Sequence, residues 1–297
     1  MELTKIRQEI NRLDEELVKL LCERLDYSRK SAAYKQEHGL EVFHEDRERE
    51  VLEAVAAAAE SLDKDGYGYG SANRLIYSTI VEVSRSLQYK LLGAGAELRT
   101  ALEAAETTWA FPGKIVCHGV RGTFSDEAAK ALFPNSEPVF VNRREAVIAA
   151  VKNGEADYGL IPIKVEAPYE TMDFVAENGC YLAARIHVQA DAIVKGGTTQ
   201  FFVISPELLS MPDANHTTLR FCLPHQSGAL YHTLGRFALE GLNITKLGSR
   251  LLNEQDHVFY LDFDGNVKNP RTADLLCALS EEMRDFVLFG NYHIYRV

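Results

Sequence analysis

Apolar residues recur at three- and four-residue steps through Leu3, Ile6, Ile10, Leu13, Leu17, Leu20, Leu21 and Leu25, the period of an amphipathic helix. Neither glycine nor proline interrupts the pattern before Gly39, where it predicts a stop. About 35 residues at ~1.5 Å each make a rod on the order of 50 Å. One small domain cannot cover such a rod, so the pattern predicts packing against a partner chain. Asp46-Arg-Glu-Arg-Glu50 opens a second helix that runs through Val51, Leu52 and Val55. Gly66-Tyr-Gly-Tyr-Gly70 reads as a flexible break. Ser71 is placed to cap a third helix carrying Leu75, Ile76, Ile80, Val83, Leu87 and Leu91. Gly93-Ala-Gly95 and an Ala/Glu-rich connection to about Trp109 follow, and Phe111-Pro112-Gly113 marks a boundary.

Beyond that boundary the periodicity alternates. Strands are predicted at 115–117, 138–141, 158–163 and 181–187, with helices at 126–132 (capped by Ser125), 144–152 and 169–177. This alternation implies an α/β lobe with at least a partly parallel sheet. From Thr217 the order is strand 217–223, helix 228–239, strand 244–252, turn 253–256, strand 257–263, helix 272–283 and strand 286–292. That βαββαβ order predicts a ferredoxin-like sandwich.

Composition narrows the chemistry. The chain has 297 residues, 46% hydrophobic and 25% charged, ordinary for a globular protein of two or three domains. A net charge of −11 argues against general nucleic-acid binding, which needs a basic face. Cys22, Cys117, Cys180, Cys222 and Cys277 are scattered and odd in number, so they read as reduced core residues of a cytoplasmic protein. The histidines form no H-x-x-x-H or H-E-x-x-H pair, so no metal site is expected. No signal peptide precedes Glu2 and no apolar run approaches the ~18 residues of a membrane span, so no membrane partner is expected.

The candidate chemistry lies on the three N-terminal helices. Arg24 and Lys35 are eleven residues apart, roughly three turns, and share a face on which their arms can converge on one small molecule. Arg7 lies seventeen residues before Arg24, about 100° around the helix and roughly 25 Å back along it. It cannot serve the same pocket from the same chain, but a two-fold partner could supply it. Ser84 and Gln88 sit one turn apart on the third helix. Singly, such residues are ordinary members of a solvated face. As a set, Arg7, Arg24, Lys35, Arg47-Glu48, Ser84 and Gln88 resemble the pocket of the all-helical chorismate mutases, with the I-R-x-E-I-x-x-L-D-x-x-L-x-x-L-L-x-x-R opening at residues 6–24.

The resemblance implies conversion of chorismate to prephenate, an intramolecular shift that calls for no cofactor. The pocket must hold a compact conformer and stabilise charge growing on the ether oxygen. By resemblance Arg24 and the partner's Arg7 hold carboxylates with Arg47 nearby, Lys35 and Gln88 donate to the ether oxygen, and Glu48 accepts from the ring hydroxyl. His44 stands where the family often has Asp, near that hydroxyl.

Gly119-Val-Arg-Gly122-Thr-Phe-Ser125 resembles the G-x-x-G-T-F-S signature of prephenate dehydratases, and residues 156–163 resemble their A-D-Y-G-x-x-P-I. Departures follow. Lys164-Val165-Glu166 replaces E-N-S. The family's T-R-F is Thr199-Gln200-Phe201, so Thr123 and Thr199 are kept and the arginine is lost. Ala192-Ile-Val-Lys-Gly-Gly197 runs straight into Thr198, leaving no sequence for a second lobe. Gly228-Ala229-Leu230, Asn243 and Gly248-Ser249-Arg250 resemble the ACT regulatory domain, in which these segments bind phenylalanine, with glycine and leucine replacing the outer residues of E-S-R-P.

The expected architecture is multidomain: all-α chorismate mutase helices at 1–108, one truncated α/β dehydratase-like lobe at 109–206, and an α+β ferredoxin-like ACT domain at 207–297. The expected activity is chorismate mutase in phenylalanine biosynthesis, with an inactive dehydratase-like lobe, a possible phenylalanine effector, and a cytoplasmic homodimer or higher homo-oligomer with shared sites. Two alternatives stay open: a working bifunctional chorismate mutase/prephenate dehydratase, and a non-catalytic effector-binding assembly protein.

Overall fold

The structure is a computed structural model that describes residues 2–109, 113–164, 167–189, 198–225, 227–251 and 256–297. Part of the expected boundary at Phe111-Pro112, Val165-Glu166 of the departure after P-I, the run at 192–197 and the turn at 253–255 lie outside the described residues. The chain divides into two compact units. The first comprises residues 1–94 with Tyr231–Arg236, and the second comprises Gly95–Leu230 with Phe237–Val297.

The first unit is built on α1 (Leu3–His38), α2 (Glu45–Leu62) and α3 (Tyr69–Leu92). α1 has 36 residues, about 54 Å at the helical rise. It stops at Gly39, whose φ of 61° lets its N–H reach back to close the last turn. Only the carboxyl-terminal half of α1 carries buried positions, Ser28 and Ala32, where small side chains let α3 approach. Its amino-terminal apolar stripe is open: Leu3, Ile6, Ile10, Leu13, Leu17 and Leu20 are 39–62% exposed. The break before α3 is organised rather than flexible. The Asp63 carboxylate accepts from the backbone N–H groups of Tyr67, Gly68 and Tyr69 at 2.6–3.0 Å. These bonds, that of Tyr69 foremost, hold its pKa below the usual carboxylate range. α3 therefore begins at Tyr69, and Ser71 lies inside it rather than at its cap.

The second unit opens with α4 (Ala96–Ala104), within the stretch expected to be a connection. Strands and helices then alternate: β1 (Ile115–His118), α5 (Phe124–Leu132), β2 (Val139–Val141), α6 (Arg144–Lys152), β3 (Tyr158–Pro162), α7 (Pro168–Glu177), β4 (Tyr181–Gln189) and β5 (Thr198–Ser205). α5 begins at Phe124, two residues earlier than a Ser125 cap would set it. Thr123 takes the cap position without a side-chain cap bond. The remaining elements are β6 (His216–Pro224), α8 (Ala229–Leu239), β7 (Asn243–Leu251), β8 (Asp256–Asp264), α9 (Pro270–Glu282) and β9 (Arg284–Arg296).

The described strands form one sheet in the order β2-β1-β3-β5-β4-β9-β6-β8-β7. It is mixed: β1 pairs in parallel with β2 and β3, β5 lies antiparallel between β3 and β4, and β4 pairs in parallel with β9. The last four strands run β9-β6-β8-β7, the order of a βαββαβ sandwich. Through β4–β9 they continue into the α/β portion, so no separate carboxyl-terminal domain is delimited. Buried apolar residues line both faces, with Ile161, Met172, Leu182, Phe202 and Phe289 on one and Ile115, Phe133, Leu160, Ile186 and Val203 on the other. Among the described residues no helix is long and apolar enough to cross a membrane.

Candidate functional site

In the first unit, α1, the α1–α2 connection, α2 and α3 line an open cavity of about 390 Å³. Arg24, Lys35, His44, Arg47, Glu48, Ser84 and Gln88 all line it. The helical period accounts for this. Arg24, Ser28, Ser31 and Lys35 fall on one strip of α1, and Val81, Ser84 and Gln88 on one strip of α3. Arg7 is exposed on α1 and does not line the cavity of its own chain.

Polar contacts set the geometry. Arg24 Nη1 donates to Ser84 Oγ at 2.8 Å, and Ser28 Oγ donates to the Arg24 carbonyl at 3.2 Å. Lys35 Nζ donates to the Val42 carbonyl at 2.6 Å. Burial lowers the Lys35 pKa, with the Glu48 carboxylate partly opposing it. Gln88 Nε2 makes only a long contact of 3.4 Å to the Ser84 carbonyl, and its buried Oε1 has no partner among the described residues. Arg47 pairs at 3.1 Å with Glu50, both side chains well exposed. His44 occupies the cap position of α2 without a side-chain cap bond.

The pattern reading missed Arg85, which also lines the cavity. Its guanidinium donates to Glu48 Oε2 at 3.3 Å and Glu82 Oε1 at 3.2 Å. The available signal was its place on α3 between Ser84 and Gln88. Arg24, Lys35, Arg47 and Arg85 outnumber the one lining carboxylate, Glu48. The cavity suits a small polyanion, with a neutral amide at hand to donate to a third oxygen.

In the second unit the glycine-punctuated loop is tied inward. Thr123 Oγ1 contacts the Val120 carbonyl at 2.7 Å and Ser125 Oγ at 3.0 Å. Asp126 accepts from Gly122 N–H and Lys130, each at 2.9 Å, contacts that hold its pKa down, Lys130 foremost. Thr199 stands on β5 opposite Val188 of β4. Gln200, where the resemblance calls for arginine, accepts at 2.5 Å from Arg185 Nη2. A guanidinium thus reaches this position from the neighbouring strand. Beside it, burial and then Arg185 and Arg296 lower the pKa of His187.

The carboxyl-terminal candidates are engaged by other elements. Gly228 precedes α8, whose first residues are Ala229 and Leu230. Asn243 Nδ2 donates to Asp264 at 3.0 Å. Ser249 pairs with Phe259 in the β7–β8 register. Arg250 bonds at 3.1 Å to Asp173 of α7, a buried carboxylate that also receives Arg220 and, at 2.5 Å, the Tyr260 hydroxyl. Tyr169 stacks on Tyr260 at 4.1 Å. A Cβ at position 248 would lie 1.9 Å from the Tyr169 hydroxyl oxygen, so glycine there makes room for that ring.

Residues 6–89 match the family described as chorismate mutase type II, and residues 115–170 match prephenate dehydratase. The chain is 24% identical to a bifunctional chorismate mutase/prephenate dehydratase of Aquifex aeolicus (strain VF5), over 358 aligned residues covering 98% of each chain. Among solved structures, it resembles prephenate dehydratase from Streptococcus mutans with a TM-score of 0.50 and 24% identity, covering 62% of this chain and 99% of that one. It also resembles prephenate dehydratase in complex with L-Phe from Arthrobacter aurescens, with a TM-score of 0.50 and 19% identity, covering 61% and 89%. These two structural likenesses are likenesses of fold.

Proposed function

Because this chain belongs to the family that joins a chorismate mutase domain to a prephenate dehydratase domain, we propose that its helical unit converts chorismate to prephenate in a site completed by a second copy. The observation that carries the reading is the convergence of Arg24, Lys35, Glu48 and Gln88 on one cavity. Chorismate is a dianion. Arg24 binds one carboxylate with its planar fork, and Arg47 lies nearby. Lys35 and Gln88 donate to the ether oxygen as its bond breaks, so their contacts strengthen in the transition state. Ser84 holds Arg24 in place. Glu48 accepts from the ring hydroxyl, with His44 beside it. Arg7 reaches the other carboxylate from the partner chain. The open stripe on α1 supports this arrangement, since covering Leu3, Ile6, Ile10, Leu13, Leu17 and Leu20 is worth about 1.5–3 kcal/mol for each fully buried side chain.

The α/β lobe, in this proposal, no longer dehydrates prephenate. That reaction needs a water-excluding cleft and a placed proton donor. The alignment to the Aquifex protein runs over 358 residues against 297 in this chain, which fits loss of the segment that would build the second wall. The proposed domains are 1–108, 109–206 and 207–297, the last an ACT-type module. Its β9-β6-β8-β7 order supports that assignment. Phenylalanine is the proposed effector, through Gly228, Ala229, Leu230, Asn243, Ser249 and Arg250, and the L-Phe complex of the Arthrobacter protein supports that choice. A full bifunctional enzyme is the second reading, favoured by alignment over 98% of both chains. Incubation of purified protein with chorismate decides between them. Prephenate alone is expected, phenylpyruvate would establish the second reading, and unchanged chorismate would leave a non-catalytic assembly protein.

A further inference from the structure

We infer that Arg85 is a positioning residue for the Glu48 carboxylate, an inference that rests on the mutase reading of the cavity. Arg85 lines the cavity between Ser84 and Gln88. Its side chain is 12% exposed, and its two ends donate to Glu48 on α2 and to Glu82 on its own helix. The Phe43 ring lies 4.9 Å from the guanidinium carbon, closing one face of the plane.

This arrangement argues against Arg85 as a ligand for a substrate carboxylate. Two carboxylates of the protein already compensate its charge, whereas Arg24 donates to the neutral Ser84 hydroxyl. Glu82, three residues earlier on α3, anchors one edge of the fork. The other edge then fixes where the Glu48 oxygens point, and Phe43 limits rotation of the plane. Lys35 also acts on Glu48 electrostatically. Beyond Glu82, His232, which falls in the same compact unit, has Nδ1 3.9 Å from its carboxylate. Arg85 thus acts through Glu48, holding the carboxylate that, in the mutase reading, accepts from the ring hydroxyl.

The test is a double-mutant cycle on the full chain, with kcat and KM for chorismate measured in wild type, Glu48→Gln, Arg85→Gln and the double variant. Arg85→Gln is expected to lower kcat/KM about tenfold, mostly through KM, because a hydroxyl acceptor serves ground and transition states alike. On the Glu48→Gln background the same substitution should change kcat/KM less than about twofold. Should Arg85→Gln fail to fold by circular dichroism, Arg85→Lys carries the cycle. It keeps the charge but cannot fork, so about a threefold loss is expected with Glu48 present and none without it. Equal effects on both backgrounds, including no effect on either, overturn the inference. A wild-type protein without mutase activity overturns it together with the reading beneath it, and that result is visible before any substitution is made.

Discussion

Asp173 is the point at which the carboxyl-terminal strands are fastened to α7, and Asp173→Asn tests how firmly. The substitution keeps shape and removes charge. The carboxylate is buried and receives Arg220, Arg250 and the Tyr260 hydroxyl. Burial alone would loosen the proton on Arg220, yet Asp173 holds its pKa above the ordinary arginine value. Burial first, and then the hydrogen bond to Asp173, raises that of Tyr260. Removing one member of a buried pair costs about 3–5 kcal/mol because the other charge is left uncompensated. The Arg220 side chain is only 16% exposed and meets that condition, whereas Arg250 at 49% is screened and adds little. We therefore expect a loss of about 3 kcal/mol, near the lower end. For a unit of roughly 200 residues, each kcal/mol moves Tm by about 2–4 °C, so the sheet transition should fall by about 6–12 °C. Differential scanning calorimetry measures it. Arg250→Ala serves as the internal contrast and should cost less than about 1 kcal/mol. An Asp173→Asn shift under about 2 °C, or a larger loss for Arg250→Ala than for Asp173→Asn, would show that this cluster does not hold α7 to the strands.

Further expectations concern the helical unit. Arg24→Ala should lower mutase turnover by at least about a hundredfold, since it removes a charge-assisted contact of ~1.5–3 kcal/mol and more in the transition state; a near-wild-type rate would sink the assignment. Arg7→Ala and Arg24→Ala proteins, each nearly inactive, should regain activity when mixed and allowed to exchange, because one site of a mixed dimer keeps both arginines. Persistent inactivity of exchanged mixtures would dismiss the shared site. Lys35 must be protonated to donate its charge. With its pKa below the ordinary 10.5, kcat/KM should fall with rising pH before a free lysine would titrate, and Lys35→Gln should abolish that limb; its survival in Lys35→Gln would assign it elsewhere. Phenylalanine should change mutase activity less than about fivefold, or ~1 kcal/mol of coupling, because Arg250 is already held by Asp173. Calorimetric titration showing micromolar binding, with near-complete inhibition, would contradict this.

The three long helices were legible because their apolar period is sustained over many turns. The α3 boundary was not, because its cap comes from Asp63, six residues before Tyr69, and no local Ser/Thr pattern encodes that reach. α4 read as a connection because its nine residues are too few for the apolar period to show itself. One of its ties, Arg99 to Asp274, bridges 175 positions. β5 was overlooked because Thr199-Gln200-Phe201 was weighed as a motif rather than as part of an apolar strand between β3 and β4. The cavity set was readable from helix geometry, except for Arg85, whose importance lies in partners on two helices. Arg250 was readable as a charged strand residue, but its partner on α7 was not. Gly248 looked like a loss until the Tyr169 ring was found in the space a side chain would take.

The pairing of β4 with β5 has an architectural consequence. Gln189, the last residue of β4, stands opposite Thr198, the first of β5, so the two ends lie about 5 Å apart, the spacing of neighbouring strands. Whatever chain is threaded between them, the hydrogen-bond ladder on either side is complete without it. Antiparallel strand ends that lie this close accept an inserted segment whose own ends are close together without disturbing the ladder.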